Sequence, residues 1–519
     1  MNAARKLDVR HLSLADLRAT LDGPVRLLVP ESARERIVAS HASVQRIVAH
    51  GEPVYGINTG LGLLAQTRIP NERLAELQRN LLLSHCTGTG AALADAVVRL
   101  MLVLKIASLA QGYSGVASDT VGALAALLEH DVLPIVPSKG SVGASGDLAP
   151  LAHLAGVLLG VGQVRHRGRI FTASEGLALA GLTPRSMGPK EGLALINGTQ
   201  ASTALAIAGL CCAENVFGSA LLSGALSVDA LKGSDAPFDV RIHALRPHAG
   251  QIAVAASIRQ LLRGSAIRAS HLQCDRVQDP YSFRCQPQVM GACLDTLNHC
   301  ADVLAVEANS VTDNPLIYSD DDAALSGGNF HAEPIAFAAD FLAIALAEIA
   351  NLGERRIATL LDPKMSGLPP FLVAESGVNS GLMIAQVTAA ALASENKTLA
   401  HPASIDTIPT SANQEDHVSM AMFAARRIGE IAENCATVIA IELLAAAQAI
   451  DFLRPLRSSA TLETLHATIR SRVAFLERDR YLADDIATLT TLVRNGELTE
   501  PVRHLLPSFA SARVSGSSA

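Results

Sequence analysis

IAFAADFLAIALAEIANL, from Ile335 to Leu352, contains neither glycine nor proline. Ile335, Leu342 and Ile349 recur every seven residues, a spacing that lines one face of a helix. Gly353 follows as an expected C-terminal stop. Leu382 to His401 and Glu430 to Pro455 are long stretches of the same kind, the first stopped by Pro402. Three such stretches in succession predict a mainly α fold built as an elongated helical bundle.

Composition agrees with that reading. Of 519 residues, 49% are hydrophobic but only 3% are aromatic, and there is no tryptophan. Small aliphatic side chains let helices approach closely, which favours helix-on-helix packing over a β-sandwich. Charged residues make up 18%, a low share that suits a surface partly covered by partner subunits. The net charge of −7, without a basic block, argues against nucleic acid or an anionic membrane as partner. The first twenty residues carry charges inside every apolar run, unlike a secretory leader. The apolar stretch Ala436 to Ile450 contains Glu442, and no segment is expected to span a bilayer. The eight cysteines include no C-x-x-C pair, so a reduced, cytoplasmic chain is expected.

The first third is richer in turns. Residues 1–200 read as a loop-rich helical region, 201–507 as the long-helix bundle with C-terminal helices, and 508–519 as a small, polar, disordered tail. YGINTGLGLL, Tyr55 to Leu64, carries three glycines and is not expected to be helical. KGSVGASGDLAP, Lys139 to Pro150, leads into an apolar run. Asp147 is the expected N-cap, with Pro150 in the first turn.

Taken alone, the glycine string at Gly143–Asp147 has several readings. It can cap a helix, or cradle an anion on its backbone amides. It lacks the G-x-S-x-G spacing of a nucleophile elbow and the G-K-[ST] of a phosphate loop. A further reading uses every residue. The Gly146 nitrogen attacks the Ala144 carbonyl, and loss of water there and from Ser145 leaves an exocyclic methylidene. The product is a methylidene-imidazolone (MIO), an electrophile that no ordinary side chain supplies; glycine at 146 lets the backbone fold back.

YGINTG, KGSVGASGDLAPLAH, KEGLALINGTQAS, QDPYSFRCQPQVMGA, VTDNP, GGNFHAEP, GVNSG and TSANQEDHVSM follow one another along the chain. From about Val25 to Arg480 the sequence resembles the MIO-dependent aromatic amino acid ammonia-lyases, and within them the histidine-specific branch. The resemblance implies a fold of the fumarase/aspartase-like superfamily. It also implies an MIO formed from Ala144, Ser145 and Gly146, with no external cofactor or metal. The implied reaction is non-oxidative deamination of L-histidine to trans-urocanate and ammonia, the first step of histidine degradation. A homotetramer with sites shared between subunits is implied as well.

The same resemblance assigns roles. Tyr55 matches the base that removes the β-proton, on a mobile lid loop. Such a phenol is expected to have a lowered pKa. Arg284 matches the fork that binds the substrate carboxylate. Asn197 matches an amide donor beside the MIO, Gln278 and Tyr281 match its neighbours, and Phe330 an aromatic that supports it. Met383 matches a residue packed on the substrate imidazole. Leu83-Ser84-His85 is the histidine form of the selectivity segment, with His85 as a partner for imidazole. Glu415, in Gln-Glu-Asp-His, offers a carboxylate that a benzene ring cannot use.

Two positions depart from the family pattern: Leu61 where phenylalanine is common, and Phe283 where leucine is usual. Neither removes a reacting group. The rivals are a tyrosine or phenylalanine lyase or aminomutase of the same family, an anion-binding helical protein, and a metal hydrolase built on His331-x-Glu333.

Overall fold

The computed structural model describes residues 5–272 and 277–509. The fold is mainly α, with only short strands between the helices. Two compact units gather separate stretches of chain. The first holds residues 1–208, 301–340 and 402–426, and the second 209–300, 341–401 and 427–519. The expected boundary at residue 200 lies close to the first division, but 301–340 and 402–426 group with the N-terminal region.

The first unit contains the paired strands. Arg5–Asp8 pairs parallel with Val25–Leu28, and Thr89–Ala92 pairs antiparallel with Pro137–Lys139. Leu133–Pro134, Gln163–His166 and Arg169–Thr172 form a three-stranded sheet. The Asp95–Ala110 helix of this unit is buried from Val97 to Ala110, with Arg99 and Lys105 included. An apolar helix covered on all sides is stabilised chiefly by burial, about 1.5–3 kcal/mol per large aliphatic side chain. Leu148–Gly156 starts where expected, and Pro150 sits in its first turn. Asp147 occupies the N-cap position but makes no side-chain cap; its carboxylate is turned to other partners, described below.

The expected long helices are present as Glu333–Leu361, Met383–Leu399 and Ala421–Phe452. Gly353 does not stop the first of them. A side-chain carbon there would come within 3.0 Å of the Ile439 side chain, so this glycine permits close helix packing instead. A further helix, Gln200–Ala230, was obscured in the sequence by Gly209, Gly218 and Gly224. Gly224 again marks a close approach, because a side chain there would meet the Gln286 amide at 2.0 Å.

Two expectations are corrected. Gln200–Ala230, Glu333–Leu361 and Ala421–Phe452 are each long and apolar enough to cross a membrane. A single charge such as Glu442 does not disqualify so long a window, although most of each apolar window is buried inside the protein. The tail expected from Ser508 does not begin there: Ser508 is buried, and its amide donates to Glu214 at 2.8 Å. Residues 510–519 lie outside the described residues.

Candidate active site

The glycine loop is fixed from both sides within the first unit. Ser419 donates its hydroxyl to the Gly143 carbonyl at 3.1 Å, and the Met420 amide donates to Val142 at 2.8 Å. Asp147 is fully buried and accepts from the Ser202 amide at 2.7 Å, the Ser202 hydroxyl at 2.8 Å and the Ser141 hydroxyl at 2.9 Å. Burial pushes its pKa up, against the pull of these donors.

Gly146 has a φ of +72°, and a side-chain carbon built on it would stand 2.1 Å from the Gly198 carbonyl oxygen. The next amide, of Asp147, donates to that same oxygen at 2.7 Å. Asn197 donates through Nδ2 to the Ser145 carbonyl at 3.0 Å. Its Oδ1 is buried with no hydrogen-bond partner among the described residues. The Asn197 turn is held from beneath by Lys105, whose ammonium donates to the Asn197 and Ala194 carbonyls at 2.8 and 3.1 Å. Complete burial lowers the Lys105 pKa to about 7, with Asp313 opposing.

A cavity of about 710 Å³ opens over this loop, lined by Ala144, Ser145, Asn197, Tyr55, His85, Phe330 and Glu415. The Ser145 hydroxyl donates to Glu415 Oε1 at 2.6 Å, and the Thr410 hydroxyl donates to Oε2 at 2.6 Å. His85 lies with Nδ1 2.8 Å from the Leu81 carbonyl. A carbonyl only accepts, so Nδ1 carries the hydrogen and Nε2 is the acceptor. Burial lowers the His85 pKa and so favours this neutral ring.

Tyr55 departs from expectation. Burial raises its pKa, the nearby Glu415 charge adds to the rise, and only the Gly62 amide opposes it. That amide approaches the phenol oxygen at 3.5 Å. Among the described residues, no lysine or arginine lines the cavity to lower it.

The sequence missed a neighbour of the site. His417 stacks on His331, with ring centroids 5.7 Å apart and planes 7° from parallel. Glu333 joins them, so that three donor atoms lie within 4.8 Å of one another. The spacing of His331 and Glu333 alone held no sign of His417, which is remote in sequence.

Gln278, Tyr281, Arg284 and Met383 belong to the second unit, and the cavity of the first unit is lined without them. The Arg284 guanidinium sits 4.4 Å from the centre of the Tyr281 ring and donates to the Asp279 carbonyl at 3.0 Å. Tyr281 is 69% exposed, and Met383 begins the Met383–Leu399 helix.

The aromatic amino acid lyase family profile matches residues 12–471. The chain is 59% identical over 498 residues to a histidine ammonia-lyase of Paracidovorax citrulli, covering 96% of this chain and 97% of that one. It is 58% identical over 510 residues to one of Desulfotalea psychrophila, covering 98% and 100%. Among solved structures, a histidine ammonia-lyase from Trypanosoma cruzi superposes with a TM-score of 0.90 at 39% identity, covering 99% and 100%. A tyrosine aminomutase from Streptomyces globisporus gives 0.91 at 35% identity, covering 96% and 98%. On a family match over most of its length, and on relatives this similar from end to end, the chain belongs to the aromatic amino acid lyases.

Proposed function

We propose that the protein eliminates ammonia from L-histidine to give trans-urocanate, using an MIO made from Ala144, Ser145 and Gly146. The observation that carries this reading is the convergence of Ser145, Asn197, Glu415, Tyr55 and His85 on one cavity. The curated relatives named histidine ammonia-lyase favour the same substrate.

The loop fits such a group. Gly146 lies where a side chain would collide with Gly198, and Asn197 keeps a buried, unpartnered Oδ1 beside the Ser145 carbonyl it already binds. When formed, the MIO supplies an electrophile that activates the substrate for loss of its amine. The other steps fall to side chains. Tyr55 removes the β-proton, and its glycine-rich loop excludes water. His85, with Nε2 as acceptor, and the Glu415 carboxylate receive the two N–H groups of a protonated substrate imidazole. A phenyl ring would leave these polar groups unpaired, at roughly 10²-fold or more in kcat/KM. Phe330 packs beside the reacting centre.

In this reading Arg284 binds the substrate carboxylate, with Gln278 and Tyr281 beside it and Met383 against the imidazole. Those four residues complete the site in a cytoplasmic homotetramer whose active sites draw on more than one chain.

The sister reading, an aminomutase, returns the amine to the β-carbon. One assay separates them: purified protein is given histidine, tyrosine and phenylalanine in parallel, with urocanate, cinnamates and β-amino acids quantified. Urocanate from histidine alone is expected. Its absence would overturn the assignment.

A further inference from the structure

The carboxylate that faces the substrate also grips the hydroxyl that has to leave during maturation. Glu415 Oε1 accepts from the Ser145 hydroxyl at 2.6 Å, while Thr410 anchors Oε2 at the same distance. The turn that delivers Glu415 closes on itself. The Thr410 amide donates to the Glu415 carbonyl at 2.9 Å, and the Glu415 amide returns the bond at 3.3 Å. Between them Ser411, Ala412 and Asn413 hold φ values of +50°, +52° and +68°. Three successive residues with side chains in the left-handed region are costly, and such a turn persists only where its surroundings impose it. Its outcome is a carboxylate aimed at Ser145.

Other groups nearby are already engaged. Asp147 is taken up by Ser141 and Ser202. The Tyr55 oxygen receives the Gly62 amide.

We propose that Glu415 is a catalytic residue of the chain's own maturation, moving the proton that lets the Ser145 oxygen depart as water. The inference rests on the MIO reading above. Ring closure forms the bond between the Gly146 nitrogen and the Ala144 carbonyl carbon. The former carbonyl oxygen leaves as the first water, with the Gly146 and Ser145 amide hydrogens, and an Ala144 C=N bond remains. Ser145 then loses its α-proton; that electron pair becomes the Cα–Cβ double bond as the Cβ–O bond breaks. Glu415 takes up a proton and returns it to Oγ, so the leaving group is water rather than hydroxide. No electrons are exchanged with another molecule.

The test is time-resolved intact mass of freshly synthesised full-length chain, with circular dichroism and thermal melting as the check on folding. Wild type should end two waters lighter than the encoded sequence; if it does not, the MIO reading itself fails. With wild type mature, Glu415→Gln should stay one or two waters heavy, maturing about 10²-fold more slowly or not at all. Glu415→Asp should recover part of the rate. Loss of both waters by folded Glu415→Gln at the wild-type rate would overturn the proposal. If Glu415→Gln does not fold, Thr410→Val decides. It keeps the carboxylate but removes its anchor, so slowed maturation supports the role and an unchanged rate overturns it.

Discussion

Gly146 and Gly198 pack backbone to backbone, so closely that a side-chain carbon on Gly146 would stand 2.1 Å from the Gly198 oxygen and 2.4 Å from its carbonyl carbon. Both atoms belong to the backbone, which cannot swing aside as a side chain would. Gly146→Ala should therefore push the loop off Gly198 and destabilise the first unit by about 2 kcal/mol. It should also misplace the nitrogen that closes the ring. Intact mass is expected to match the unmodified sequence, and the melting temperature to fall. A mature mass in this variant would show that the contact is unnecessary.

Tyr55 gives a prediction with a definite sign. Burial and the Glu415 charge raise its pKa, so the phenolate is scarce near neutrality and increases with pH. If Tyr55 is the base, kcat should climb on the alkaline side, approaching tenfold per pH unit while the phenol remains mostly protonated. Tyr55→Phe should lose about 10²- to 10⁴-fold in kcat, yet still lose two waters on maturation. Steady-state rates from pH 6 to 10, alongside intact mass, check both halves. A variant with the same pH profile and rate as wild type would remove Tyr55 from the reaction.

Much of this architecture was readable because the clearest signals are local. Ile335–Leu352 reads as a helix from its own periodicity. The reading failed where glycine meant contact rather than conformation. Gly353 and Gly224 look like breakers in one dimension, yet each admits a neighbouring helix or side chain. The site divides in the same way. The Ser141–Asp147 loop is contiguous and its chemistry can be argued from the string, whereas the bond from Ser145 to Glu415 spans 270 positions. Only resemblance to a family joined those two before the fold did. The raised pKa of Tyr55 was not legible at all, since burial depends on everything packed around it.

Lys105 should make folding stability depend on pH in a separable way. Its pKa in the folded chain is about 7, lowered chiefly by burial from an ordinary value of 10.5. Between those limits the unfolded lysine holds a proton that the folded one lacks. Stability attributable to this group therefore rises with pH across that window, by up to about 1.4 kcal/mol per unit. Lys105→Met should flatten the stability–pH curve between pH 7 and 10. It should also slow maturation, because the Asn197 carbonyl loses its donor. Denaturant titrations at several pH values, compared with wild type, test the slope; parallel curves would count against it.

The second unit contains a charged pair with no exposure at all. Arg356 donates to Glu442 through Nε at 2.5 Å and Nη2 at 2.7 Å, and Ser227 adds a hydroxyl at 2.8 Å. Dehydrating both ions offsets most of their attraction, so the pair contributes little net stability. Removing one partner is another matter, because it strands the other charge away from water. Glu442→Leu alone and Arg356→Met alone should each cost about 3–5 kcal/mol. The double variant Arg356→Met/Glu442→Leu, apolar on both sides, should recover most of that loss. A double-mutant cycle by chemical denaturation measures the coupling directly, and additive losses would show that each side chain acts by itself. Gly224→Ala should also destabilise this unit, because the added carbon would stand 2.0 Å from the Gln286 amide oxygen, which must move, while the Arg356 guanidinium carbon at 3.4 Å is only in ordinary contact.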